Sequence, residues 1–113
     1  MAMTENELII DVAQAQGWTN IQRVEGYLMG SPARRPHART NLPAYLTDAN
    51  EWVKLLEEMK DSGDCRPMVR PYAKGGWACV LAGGIVYKTV HHPSLGGAVC
   101  LAWLAWKGAK GNG

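Results

Sequence analysis

The chain has 113 residues, a formal net charge of +2 and no phenylalanine, and five tryptophans supply most of its aromatic bulk. A chain of this length can hold one small hydrophobic core if most of it takes part. The weak positive charge does not favour nucleic acid as a partner. The longest apolar run, residues 98–106, is far shorter than the roughly 20 residues of a membrane span.

The cysteine pattern indicates a reducing environment. Cys65, Cys79 and Cys100 are odd in number and include no Cys-x-x-Cys pair, which supports neither a disulfide framework nor a zinc site. The N-terminal residues lack a basic segment followed by an apolar one, so no secretory signal is predicted. We therefore expect a cytoplasmic protein with no metal, no cofactor and no membrane contact.

The first predicted helix follows Thr4, which stands three residues before Glu7 in the spacing of a capping box. Apolar residues then recur at helical intervals until Gly17, a natural helix end. Residues 19–46 hold several glycines and prolines and show no sustained period. They predict a long irregular loop, of the kind that is functional or disordered in compact domains, in which IQRVEGYLMG (21–30) could contain a short strand.

Asp48 and Glu51 repeat the capping-box spacing and open a second helix that ends at Gly63. Its buried stripe is predicted to comprise Trp52, Val53, Leu55, Leu56 and Met59. Three strands are predicted next, in RPMVRPY (66–72), GWACVLA (76–82) and GIVYKTV (84–90). Pro67 and Pro71 favour an edge position for the first strand, and Gly75-Gly76 and Ala82-Gly83-Gly84 mark turns.

The last predicted helix, in PSLGGAVCLAWLAWKG (93–108), is apolar on nearly every side and needs cover from the sheet and from another helix or another chain. These elements predict a single α+β domain over residues 1–113, in the order α-α-β-β-β-α, with a frayed tail at 108–113. Its architecture is a helix–sheet–helix sandwich around an antiparallel sheet of three or four strands.

The chain resembles the phage ABA sandwich family of small bacteriophage and prophage proteins. The resemblance rests on a first helix ending at Gly17-Trp18, on LPAYLTDANEWVKLLEEM, on Gly75-Gly76-Trp77 and on HPSLGGAVCLAWLAW. It covers most of residues 5–107, although residues 30–41 look like an expansion and Gly96-Gly97 and two tryptophans depart from the expected last helix. It implies a phage origin and a helix–sheet–helix sandwich, and it assigns no activity to any residue.

Basic and aromatic residues are the candidates for a ligand site. A positive group beside an aromatic ring suits a phosphate beside a stacked base, and Arg70 and Lys74 flank Tyr72. Trp77 and Tyr45 are further rings on which a base could stack. The predicted ligand-binding residues are Arg70, Tyr72, Lys74, Trp77, Arg34, Arg35, Arg39, His91 and His92. Solvated loop charge is the simpler interpretation of the arginine segment.

Catalytic chemistry finds little support. His91 and His92 are adjacent and point in different directions in a strand, and the simpler interpretation is a polar strand-to-helix junction in which His92 caps the helix. Cys79 and Cys100 are typical of buried, inert thiols. The glycine pairs match no phosphate-binding loop, although SLGG opens a helix. No catalytic residue is assigned, and we expect that the chain is not an enzyme.

The preferred hypothesis is a phage binding protein that acts in host takeover or counter-defence in the host cytoplasm. It would hold a nucleotide-type immune signal in an oligomer, with an interface on Leu101, Trp103, Leu104 and Trp106. An inhibitor that binds a host defence protein directly, as anti-CRISPR proteins do, is one alternative. A virion or assembly accessory is another, and a small enzyme using His91, His92 or Cys79 is a third.

Overall fold

A computed structural model of the chain describes residues 4–83 and 88–111, with side chains through residue 109. The chain divides into two compact units, Met1–Ala44 and Tyr45–Gly113. The fold class is α+β, as predicted, but it contains two three-stranded antiparallel sheets rather than one. The elements are α1 (Glu5–Ala15), β1 (Thr19–Val24), β2 (Tyr27–Ser31), β3 (Thr40–Asn41), α2 (Ala49–Ser62), β4 (Arg66–Pro71), β5 (Trp77–Ala82), β6 (Lys88–His92) and α3 (Leu95–Gly111).

Helix α1 begins and ends as the sequence predicts. The Thr4 hydroxyl accepts a hydrogen bond from the Glu7 amide, and the Glu7 carboxylate accepts one from the Thr4 amide, which completes the capping box. At the other end, the Gly17 and Trp18 amides donate to the carbonyls of Gln14 and Ala13. This pair of bonds is the Schellman motif, which satisfies carbonyls that the helix leaves free.

The region predicted to be an irregular loop contains the first sheet, in the order β1-β2-β3. Strands β1 and β2 form a hairpin closed by Glu25 and Gly26, both with positive φ, as a two-residue primed turn requires. The pairing shifts between Thr19 and Gln22, which marks a bulge in β1. Five of the six residues of β1 are exposed. The strand therefore lacks the alternation of apolar and polar residues that indicates a half-buried strand in a sequence.

In the second unit, helices α2 and α3 pack against each other and both contact the second sheet. Asp48 caps α2 through its carboxylate, which accepts from the Asn50 amide. The expected reciprocal bond from Glu51 is absent from the described hydrogen bonds, and the Glu51 carboxylate instead meets Lys54 at 3.4 Å. Lys107 on α3 and Glu58 on α2 form an ion pair at 3.1 Å, which links the two helices.

The second sheet has the order β4-β5-β6, with β5 in the centre and β4 at an edge, as predicted. Strand β6 runs on to His92, so both histidines lie within the strand. The part of the predicted third strand at 84–87 lies outside the described residues. The register pairs Ala78 with both Arg70 and His91, and Val80 with both Met68 and Thr89.

This register defines the two faces of the second sheet. One face carries Cys79, Leu81 and His92 and lies under α3, since the His92 ring abuts Gly97 of that helix. The opposite face is called the outer face here. Its residues on the flanking strands are all exposed to solvent, namely Arg66, Met68, Arg70, Thr89 and His91.

The edge of β4 has few free donors. The Tyr72 amide donates to the Gly76 carbonyl on the β5 side of the strand. Because amide directions alternate along a strand, the outward-facing positions of β4 are residues 67, 69 and 71. Two of these are proline and have no N–H, so Val69 alone presents an amide to this edge.

Helix α3 begins later and ends later than predicted, at Leu95 and Gly111, so residues 108–111 of the expected frayed tail are helical. Ser94 and not His92 caps it, because the Ser94 hydroxyl accepts from the Gly97 amide at 3.0 Å. Trp103 and Trp106 are 0% and 1% exposed, so the predicted interface keeps exposed surface only at Leu101 and Leu104, both half-buried.

Candidate functional site

The candidate site lies where β4 and β6 flank the end of β5, and two aromatic rings mark it. The rings of Tyr72 and His91 lie with their centroids 4.1 Å apart and their planes tilted by 45°. Tyr72 follows the end of β4, and His91 lies in β6, where the register pairs it with Ala78 of β5. His91 is exposed and Tyr72 is half-buried, so this ring pair is open to a ligand.

A tight turn holds Tyr72 in place. The Tyr72 amide donates to the Gly76 carbonyl at 3.0 Å, and the Gly75 amide donates to the Tyr72 carbonyl at 2.9 Å. Gly76 has a φ of 81°, and a Cβ built there would lie 2.7 Å from the His92 carbonyl oxygen. Only glycine tolerates both the dihedral and this approach, so the turn packs closely on the end of β6.

Two open cavities share the ring pair. One of about 520 Å³ is lined by Tyr72, Lys74, His91, His92 and the glycines of the turn. The other, of about 400 Å³, is lined by Arg70, Tyr72, Ala78 and His91 among others. The sites of small ligands commonly measure about 300–1,000 Å³, so each cavity has room for a base or a sugar phosphate.

Five predicted ligand residues meet at these cavities: Arg70, Tyr72, Lys74, His91 and His92. Arg70 lines one cavity and Lys74 the other, so a cation stands on each side of Tyr72 in the chain. No carboxylate lines either cavity among the residues that the structure describes. The arrangement therefore suits an anionic ligand with an aromatic or planar part.

The side chains of His91 and His92 differ in the hydrogen bonds that hold them. His92 Nδ1 accepts a hydrogen bond from the Ser94 amide at 3.0 Å and lies 3.0 Å from the Ser94 hydroxyl. Because an amide can only donate, Nδ1 carries no proton in this arrangement. His92 thereby supports the residue that caps α3. His91 is exposed, and its ring lies against that of Tyr72.

The remaining aromatic candidates lie away from the cavities. Trp77 is half-buried and lines neither of them, because it projects from the same face of β5 as Cys79 and Leu81. Tyr45 is 1% exposed, and burial raises the pKa of its hydroxyl well above its usual range. Tyr45 therefore offers no face to a base.

The arginine segment belongs to the first unit, whereas the ring pair belongs to the second. Arg34 and Arg35 are exposed in successive turns between β2 and β3. Arg39 donates a hydrogen bond to the side chain of Gln22. It lines a separate cavity of about 260 Å³ in that unit, where His37 is the one aromatic side chain among the described lining residues.

The cysteines are poor nucleophiles. Cys79 and Cys100 are both 0% exposed, and burial raises the pKa of the Cys79 thiol to about 11 and that of Cys100 to about 12. Burial also raises the pKa of Cys65. Nucleophilic cysteines have lowered pKa values, because the thiolate is the reactive form. The three thiols are therefore suited to packing.

These thiols make stability fall at high pH. Below pH 9 the Cys79 and Cys100 thiols are protonated in both states. Between pH 9 and about 11–12 they ionise only in the unfolded chain, which favours unfolding. We expect urea unfolding to show a lower free energy at pH 10 than at pH 8.

We also expect Ellman's reagent to leave both thiols unmodified at pH 8 until urea is added. Reaction of Cys79 in the native protein would contradict this.

The pH-dependent loss has an internal control. The difference between pH 8 and pH 10 should shrink in the Cys79→Ala, Cys100→Ala double variant, since alanine has nothing to ionise. An unchanged difference would assign the effect to other groups.

The other features of the described residues offer less to a ligand. A cavity of about 690 Å³ is lined by Lys60, Cys65 and Arg66 among others, and none of the lining residues that the structure describes carries an aromatic ring. Among the described residues, no group of three or more His, Cys, Asp or Glu side chains is placed to hold a metal ion. No helix in the described part of the chain is long and apolar enough to cross a membrane.

Comparisons with known proteins gave no relative of this chain. It matches no protein-family model, and no curated protein and no solved structure shows significant similarity to it. The resemblance to phage ABA sandwich proteins therefore rests on the quoted motifs alone. The proposed function therefore depends on the Tyr72–His91 ring pair and on the two cationic side chains near it, Arg70 and Lys74.

Proposed function

We propose that this chain is a phage-encoded binding protein that holds a nucleotide-type ligand at the Tyr72–His91 ring pair. The observation that supports this most is the contact of the two rings at 4.1 Å, between cavities that Arg70 and Lys74 line. A base stacks on an aromatic face whatever its identity, while arginine and lysine bind phosphate. Both parts of a nucleotide thus find a matching group.

The proposed role is sequestration rather than catalysis. The buried thiols have raised pKa values, and His92 is engaged by Ser94. None of these three side chains is therefore well placed to attack a ligand. By holding a nucleotide signal of host defence in the host cytoplasm, such a protein would lower its free concentration without consuming it. Assembly into an oligomer through the half-buried Leu101 and Leu104 is part of the proposal.

The first test is a nucleotide titration of the full chain. Purified protein is titrated with mono-, di- and cyclic nucleotides by calorimetry, and its oligomeric mass is measured in parallel. Replacing Tyr72 by alanine removes the stacking ring, so affinity should fall by roughly tenfold to a hundredfold. The matched control is Tyr27→Ala, which removes a 65% exposed tyrosine of the first unit and should leave affinity unchanged.

The outcomes separate the hypotheses. Equal affinity of the parent and Tyr72→Ala proteins would show that the ring pair is not the site. Absence of binding by any nucleotide to the folded parent would contradict the proposed function. Conversion of the bound nucleotide into a product, seen by chromatography after release, would identify an enzyme instead.

A second candidate function is direct binding to a host defence protein. At the tip of the β1–β2 hairpin, Val24 and Tyr27 pair across the strands and are 36% and 65% exposed. Exposed apolar residues on a hairpin tip suit a protein partner. If this candidate is correct, Tyr27→Ala should abolish biological activity while Tyr72→Ala leaves it intact.

A further inference from the structure

The net charge of the chain conceals a strong asymmetry. Six of the twelve lysines and arginines lie after Asp64, whereas all ten acidic residues lie at or before it. In the second unit the carboxylates therefore belong to α2 and the segments beside it. Strands β4, β5 and β6 carry Arg66, Arg70 and Lys88 and no acidic residue. The sheet is consequently a positive surface on a nearly neutral protein.

The outer face continues this positive surface beyond the ring pair. Arg66, Met68 and Arg70 alternate along β4 on that face, beside Val80 and Ala78 of β5, and all three are exposed. The two arginines are four positions apart in the chain, a distance of about 13 Å along a strand. Even a short ligand held at Tyr72 and His91 can contact Arg70. Only a longer ligand that continues along β4 can also contact Arg66.

Self-association on this face is disfavoured, because a second copy would bring arginines of like charge together. An anionic occupant, by contrast, matches the charge of the outer face. The ring pair at one end favours stacked bases over acidic side chains. Met68, 50% exposed between the two arginines, adds an apolar contact for a second base or a sugar.

We infer that the ligand is a short single-stranded oligonucleotide. Its first base stacks at the Tyr72–His91 ring pair, and its phosphates run along β4 to Arg70 and then Arg66. This inference rests on the proposed function and adds the chain length of the ligand to it. It also revises the expectation drawn from net charge, because a small total charge does not exclude a positive face.

The test compares ligand lengths and salt dependence. Adenosine monophosphate, a dinucleotide and a four-nucleotide oligoadenylate are titrated into the parent, Arg66→Gln and Arg23→Gln proteins by calorimetry at several salt concentrations. Arg23, in β1, is exposed and loses the same charge, which makes it the matched control. Each phosphate contact on a single strand contributes about −0.7 to the slope of log K against log salt.

We expect the tetranucleotide to bind more tightly than the mononucleotide. Arg66→Gln should reduce its salt slope by about 0.7 and its affinity several-fold, and should leave the mononucleotide unaffected. Equal affinity for all lengths, with Tyr72→Ala still harmful, would overturn the inference and retain the proposed function. If no ligand of any length binds, both the inference and the proposed function are wrong. If polyglutamate competes as effectively as the oligonucleotide, the inference is wrong and an acidic protein partner is favoured.

Discussion

Replacing Gly96 by alanine should destabilise the second unit by about 3 kcal/mol or more, the upper end of the cost of overpacking a core. A Cβ at this position would lie 2.3 Å from the Leu46 carbonyl oxygen and 2.8 Å from the Trp52 ring. The first obstacle is backbone, which cannot rotate away as a side chain can. The first turn of α3 would have to leave the start of α2.

The same helix offers a matched control. At Gly108 of α3 an added Cβ meets nothing within 4 Å, so Gly108→Ala should stabilise the helix by roughly 0.5–1 kcal/mol. Urea unfolding followed by far-ultraviolet circular dichroism measures both variants. Equal midpoints for the two would show that α3 does not approach α2 as closely as described.

Truncation of Trp103 to alanine should have the other large effect, about 3–5 kcal/mol. Trp103 is 0% exposed, and its Nε1 has no hydrogen-bond partner among the described residues. The ring therefore contributes by packing, together with the Lys107 ammonium 5.5 Å from its centroid. Since domains of this size are stable by only about 5–15 kcal/mol, much of the margin would be lost.

Two further variants identify the cause. Trp103→Phe keeps an aromatic ring and removes the N–H that lacks a partner, so it should cost clearly less than alanine. Leu104→Ala shortens a half-buried neighbour and should also cost less. If Trp103→Ala unfolds at the same urea concentration as Leu104→Ala, the tryptophan is not a central part of the core.

The second unit was largely predictable because its signals are local. Asp48 and Gly63 bound α2, and Pro67 and Pro71 mark an edge strand, as the structure shows. The first sheet was missed because β1 is exposed on both faces and bulged, and its turn is Glu25-Gly26 rather than a common hairpin pair. The Ser94 cap was detectable, since serine directly precedes the apolar run.

The candidate site could be predicted only by residue type. Arg70, Tyr72 and Lys74 are close in sequence, but their meeting with His91 depends on the register between β4, β5 and β6. Register is a property of paired strands, and the local sequence of one strand does not specify it. The burial of Trp103 and Trp106 likewise depends on what α3 contacts, which its all-round apolar pattern leaves open.

The two prolines of β4 bear on how the chain behaves at high concentration. Open sheet edges are where proteins join into fibrils, because each free N–H can bind a strand of another copy. At the β4 edge, a foreign strand would find a donor at Val69 and none at Pro67 or Pro71. The outer face can therefore remain exposed to solvent in a concentrated solution without β4 acting as a template for aggregation.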